Sequence, residues 1–133
     1  ADAVKAEEFL EKAAQWAAGE PAVLALVLVG SWARGENRPD SDMDLVILTD
    51  EKEKFLNGGE YFGRFGDILR QNVEYYGRCT SVRVFYDGGR EVEFGLVDGG
   101  WASLPLDAGT RRVLTDGYRV LVDKSHIFDE IEL

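Results

Sequence analysis

The sequence predicts a mixed α/β fold of the α+β kind, with one β-sheet of about four to five strands and helices packed on it. Two uninterrupted apolar runs, residues 22–29 and 43–48, have strand length and are bounded by turn residues, as strands covered on both faces are. Two alternating segments, 80–86 and 90–97, flank Asp87-Gly88-Gly89, the pattern of a β-hairpin. Residues 2–18 place Ala6, Phe9, Leu10, Ala13, Trp16 and Ala17 at helical spacing, with Glu7, Glu8, Glu11 and Lys12 mostly opposite.

The remaining elements follow in order. Gly19 and Pro21 stop the first helix. Gly30 closes the first strand, and residues 31–41, with Gly35, Asn37, Pro39, Asp40 and Ser41, form a loop that begins with one helical turn. Asp50 and Glu53 suit a capping box for a short helix ending before Asn57-Gly58-Gly59. Residues 61–76 carry Phe62, Phe65, Leu69, Val73 and Tyr76 at helical spacing, which predicts a helix capped by Gly77, with Gly63 and Gly66 weakening its first half. Residues 101–106 are irregular or one turn of helix, 107–116 a helix, and 118–122 a last short strand before an acidic tail. There is no internal repeat, linker or low-complexity tract, so residues 1–133 are expected to form a single domain.

Composition narrows the function. The chain is 45% apolar and 11% aromatic, which is globular rather than disordered. No run approaches the ~20 apolar residues of a membrane span, and no basic stretch followed by an apolar core marks a secretory signal. The single cysteine, Cys79, has no internal disulfide partner, which suits a reducing cytoplasm. The formal net charge of −10 repels a polyphosphate chain, so an extended nucleic-acid interface is not expected. It leaves room for one nucleotide bridged by metal, and it attracts a cationic small molecule or a basic protein.

The chemistry concentrates in residues 27–48, VLVGSWARGENRPDSDMDLVIL. A buried strand delivers Gly30-Ser31, where glycine permits close ligand approach and the Ser31 hydroxyl, with backbone N–H groups after it, can hold phosphate oxygens. Asp42 and Asp44 follow at the entry of the next buried strand. Residues i and i+2 of a strand point to one face with α-carbons roughly 6.6 Å apart, so both carboxylates can converge on one hard cation. Magnesium prefers such oxygen ligands, and two ions about 3.5–4 Å apart can activate a hydroxyl and steady a departing pyrophosphate. In the second hairpin strand, Glu91, Glu93, Gly95 and Val97 share a face, and Glu93, between Val92 and Phe94, is the unusual residue in a core-forming strand. It is assigned as third carboxylate, metal ligand or general base; Glu91, on the same face but nearer the turn, is the alternative. Arg34 is placed to reach a phosphate, and a surface or salt-bridged arginine fits it equally well.

This pattern, Gly30-Ser31, ten residues, then Asp42-Met43-Asp44, with Val92-Glu93-Phe94 on a later strand, resembles the minimal nucleotidyltransferases of the polymerase-beta-like superfamily. Antibiotic nucleotidyltransferases and the nucleotidyltransferase partners of HEPN-domain toxins carry the same signature. The resemblance implies a mixed sheet, dependence on Mg²⁺, and transfer of a nucleoside monophosphate from an NTP, usually ATP, to a hydroxyl of a small molecule or partner protein. By that resemblance Gly30 and Ser31 contact the triphosphate, Asp42 and Asp44 hold metal, and Glu93 completes the triad.

Duller readings stand beside each residue. Gly30-Ser31 alone fits a strand-ending turn, Asp42 and Asp44 fit a turn after Pro39, and Glu93 fits an exposed hairpin position; the combined spacing favours the site. Arg83 and Arg90 read as cross-strand partners of the glutamates; Trp32, Trp101, Tyr75 and Tyr76 could stack a base, with core or interface packing the default. The chain is short for a catalytic core plus an acceptor-binding domain, so a homodimer or a partner chain is expected to supply the other wall of the cleft. An antitoxin-type interaction protein paired with a HEPN-domain toxin, and a nucleotide-binding module without turnover, are the alternative functions.

Overall fold

The structure, a computed structural model, describes residues 2–38, 41–56 and 60–133, with side chains from residue 5 onward. Pro39 and Asp40 of the expected loop, and the Asn57-Gly58-Gly59 helix stop, lie outside the described residues. In chain order the elements are α1 (Asp2–Gly19), β1 (Ala25–Val29), α2 (Ser31–Arg34), β2 (Met43–Leu48), α3 (Lys52–Leu56), a 3₁₀ turn (Tyr61–Phe65), β3 (Ile68–Tyr76), β4 (Cys79–Tyr86), β5 (Glu91–Val97), a second 3₁₀ turn (Gly99–Ala102), α4 (Ala108–Thr115) and β6 (Tyr118–Asp123).

The strands form one six-stranded sheet in the order β3-β4-β5-β2-β1-β6. Only β2 and β5 pair in parallel; the other neighbours are antiparallel. The sheet is therefore mixed, as expected, with six strands rather than four to five. The extra strand is β3, which occupies most of the segment expected to be a helix. Phe62 and Phe65, three residues apart, bury themselves through the 3₁₀ turn, but Leu69, Val73 and Tyr76 are exposed on an edge strand. Gly77 takes φ +60° as the first residue of the two-residue turn joining β3 to β4, instead of capping a helix.

Two further boundaries moved. The apolar run 22–29 becomes strand only from Ala25, because Ala22 and Val23 are buried in the turn that feeds it. Asp50 does not form a capping box: its carboxylate accepts from the Gly99 N–H across the fold, 3.1 Å away. Asp107, in contrast, does cap α4, accepting from the Thr110 N–H at 2.8 Å.

Both faces of the sheet are covered, by different layers. Met43, Leu45, Ile47, Val82, Val84, Val92 and Phe94 face α1, α3 and the first 3₁₀ turn, where Phe62 stacks on Phe94 with ring centroids 3.9 Å apart. Ala25, Val27, Val29, Val46, Leu48 and Val97 face Trp101, Leu106, Leu114 and Phe128. At the end where β1 leaves the sheet and β2 and β5 enter it, Asp44 and Glu93 are only half-buried. No helix among the described residues is long and apolar enough to cross a membrane.

Candidate active site

Strand register assembles the site. Val29 of β1 lies opposite Asp44 of β2, Asp44 opposite Glu93 of β5, and Glu93 opposite Arg83 of β4. One row across four strands thus brings the residue before Gly30, two carboxylates and an arginine side by side. Alternation puts Asp44 and Glu93 on the face of Val46 and Val97, where both stay half-buried. Asp42, two residues earlier, shares that side. Asp42, Asp44 and Glu93 each offer a carboxylate oxygen within 4.8 Å of the others, all half-buried.

Three like charges at this distance repel one another, and the structure shows how the repulsion is partly met. The Arg83 guanidinium donates to Asp42 Oδ2 at 3.3 Å, and to Glu91 and Glu93. Burial opposes the charge on Arg83, but Glu91, Glu93 and Asp42 hold it well above its ordinary range. Asp44 is left out: among the described residues it makes no hydrogen bond or ion pair. Burial first, then the charges of Asp42 and Glu93, push its carboxyl up to about 7. A half-buried carboxylate without a partner, beside two others, is a site that gains from a cation, and the three residues could hold a metal ion.

Gly30 is fixed by its neighbours. Its φ of 77° and ψ of −158° lie in a region essentially reserved for glycine, and a Cβ there would overlap the Asp44 carboxylate. Ser31 opens α2 directly after it, and the Ala33 and Arg34 N–H groups donate to the Gly30 carbonyl at 3.1 and 3.2 Å. Arg34 stands apart from the carboxylates: its stem packs against Gly117 and its guanidinium pairs loosely with Glu36 at 3.7 Å. Glu91 joins the cluster through Arg83 rather than through Asp42 and Asp44, so Glu93 is the third carboxylate of the group. Trp32 donates its indole N–H to the Ser41 carbonyl at 3.1 Å and packs on the core, which holds the α2 turn against the Asp42 loop.

A cavity of about 210 Å³ opens beneath Asp44 and Glu93, lined by Val29, Val46, Gly95, Val97, Trp101 and Val113. Gly95 is part of its lining, and a Cβ there would sit 3.3 Å from Cys79 Sγ. Its volume is below the ~300–1,000 Å³ of a full ligand pocket, so it has room for a ring rather than a whole nucleotide. A larger open depression of about 530 Å³ beside residues 49–54 and Asp98 lies at the far end of β2, away from the carboxylates.

Arg83 as a cross-strand partner of Glu93 was legible from the sequence; its reach to Asp42 was not, because that depends on the parallel pairing of β2 with β5. Arg83→Gln should remove the cation shared by three carboxylates. The metal-free fold is expected to lose about 2 kcal/mol in thermal or denaturant unfolding. Mn²⁺ affinity, read by electron paramagnetic resonance, should rise about tenfold as the competing charge goes; unchanged or weaker binding would show that Arg83 does not compete for the cluster.

Residues 6–93, well over half of the chain and a span holding all of Gly30, Ser31, Arg34, Asp42, Asp44 and Glu93, match the family model of the nucleotidyltransferase domain. Among solved structures, the fold is similar to that of an aminoglycoside 6-adenyltransferase from Bacillus subtilis, with a TM-score of 0.53 and 14% identity, covering 65% of this chain and 32% of that one. The chain spans about a third of the length of that protein. No curated protein matches the sequence. The chain belongs to the nucleotidyltransferase domain family.

Proposed function

We propose that the chain moves a nucleoside monophosphate from an NTP, with ATP the first candidate, to a hydroxyl acceptor, using Mg²⁺ held by Asp42, Asp44 and Glu93. The observation that carries this reading is the convergence of the three carboxylates with Asp44 left unpartnered. Bound there, one or two divalent ions would polarise the α-phosphate and neutralise the leaving pyrophosphate. Gly30 lets the backbone approach the triphosphate, and the Ser31 hydroxyl donates to its oxygens. Arg34 can add a bidentate contact, since its exposed, 3.7 Å pair with Glu36 costs little to give up. A carboxylate of the cluster accepts the acceptor's proton as its oxygen bonds to the α-phosphorus. The α–β bridging bond breaks, and pyrophosphate leaves with that electron pair.

The apolar cavity under the cluster suits one ring of a substrate. The net charge of −10 favours a cationic acceptor, and the name of the similar adenyltransferase points to aminoglycosides as the first to try. A reducing cytoplasm is the setting that the lone, half-buried Cys79 suits.

The test incubates the protein with each labelled NTP, Mg²⁺, and a panel of aminoglycosides and other hydroxylated acceptors. Label should pass to an acceptor with release of pyrophosphate and should vanish in Asp42→Asn. Transfer surviving in that variant, or no Mg-NTP binding at all, would remove the mechanism.

A further inference from the structure

The strand that the sequence hid is also the least protected part of the sheet. β3 is nine residues long, pairs on one side only among the described residues, contains no proline, and is regular from Arg70 onward, after a register shift that follows Ile68. At the opposite edge, β6 is tied to α1 by the Arg119–Glu7 ion pair at 2.9 Å. Four of the seven exposed large apolar side chains among the described residues, Leu69, Val73, Tyr75 and Tyr76, sit on β3. A long open edge with apolar side chains is a template for another strand.

The geometry points to a second copy of this chain as the occupant: we propose a two-fold symmetric dimer in which β3 pairs antiparallel with β3 of the second copy, centred on Asn72. Backbone direction and charge both select that register. In the two-residue turn at Gly77-Arg78, Tyr76 and Cys79 face each other, so Val73 and Tyr75 turn their N–H and C=O groups outward. Pairing must therefore bring odd-numbered residues opposite odd-numbered ones. Centring on Asn72 does so, and it aligns β3 from Arg70 to Glu74, clear of the register shift between Ile68 and Arg70. It also sets Arg70 opposite Glu74 of the second copy, twice by symmetry. Centring one residue either way breaks the charge match, leaving Arg70 opposite Asn72 or Tyr76. Arg70 and Glu74 then occupy non-hydrogen-bonded positions, where facing side chains come closest. Arg70 is already held upright over the Phe85 ring, 4.1 Å from its centroid.

The arrangement has a consequence for the site, although it does not depend on the reaction. Asn72 lies opposite Arg83, in the same row as Glu93 and Asp44. A two-fold axis at Asn72 runs normal to the sheet, so both carboxylate clusters open on one side. Five strand spacings of ~4.8 Å separate the two Glu93 backbones, about 24 Å.

Charge exchange tests the register. By sedimentation velocity in low salt, the full chain should be a dimer at micromolar concentrations. Arg70→Glu and Glu74→Arg, both on an exposed edge, should each weaken dimerisation about tenfold or more, and the double variant should restore it. Val73→Pro, which removes an outward N–H without touching the β4 ladder, should yield a monomer that still melts cooperatively. A monomeric wild type, a dimer indifferent to either charge reversal, or a double variant no better than the singles would overturn the proposal.

Discussion

Asp44→Asn is expected to lower nucleotidyl transfer by about three orders of magnitude and to flatten the pH dependence of the metal-free fold. The side chains have the same shape, so the change isolates charge. Asp44 faces Asp42 and Glu93 with no hydrogen bond or ion pair of its own among the described residues, and its carboxyl is pushed up to about 7 by burial and those two neighbours. The sign of the linkage follows. From about pH 4 the unfolded chain gives up this proton, whereas the folded chain keeps it until about pH 7. Stability from this group is therefore fully present below pH 4, declines across that window, and is gone above it. Melting curves in EDTA should show wild type losing stability between about pH 4 and 7 faster than Asp44→Asn does. Mg²⁺ or Mn²⁺ at pH 8 should recover the loss in wild type and not in the variant. Equal pH slopes, or full transfer by the variant, would contradict the assignment of Asp44 as the vacant carboxylate.

What the sequence disclosed and what it withheld have separate physical causes. β2 and the β4–β5 hairpin were legible because a strand buried on both faces must be apolar throughout, and Asp87-Gly88-Gly89 leaves few other turns open. Asp42 and Asp44 were legible as a pair through the two-residue period of a strand, and Glu93 through the same parity on β5. β3 was not, because an edge strand with no buried face carries no alternation. Its apolar residues happened to continue the spacing of Phe62 and Phe65, which are buried for a different reason. The vacancy at Asp44 was also out of reach. It depends on Arg83 satisfying Asp42, Glu91 and Glu93 at once, and hence on the crossover that sets β5 parallel to β2. The two misses are neighbours in space, since β3 flanks the strand that carries Arg83.

Gly30→Ala should do nearly as much damage as losing a ligand, by a route that can be separated into two parts. The backbone at φ 77° and ψ −158° costs any other residue ~1–3 kcal/mol. The added methyl would also occupy the space of Asp44 Oδ2, so the carboxylate must turn away from Asp42 and Glu93. A combined loss of about 2–4 kcal/mol in unfolding is expected, with Mn²⁺ binding and transfer abolished rather than merely reduced. Gly35→Ala supplies the contrast. Gly35 has a similar φ of 73°, yet nothing lies within 4 Å of a Cβ there. That variant should lose only about 1 kcal/mol and keep its metal site. The steric part can be isolated by introducing Gly30→Ala into an Asp44→Ala background, where the displaced oxygen no longer exists. The cost of the methyl should then fall by roughly 1–2 kcal/mol, a coupling expected only of groups in direct contact. Additive losses would mean that Gly30 is required for its backbone conformation alone, and that the carboxylate does not lean on it.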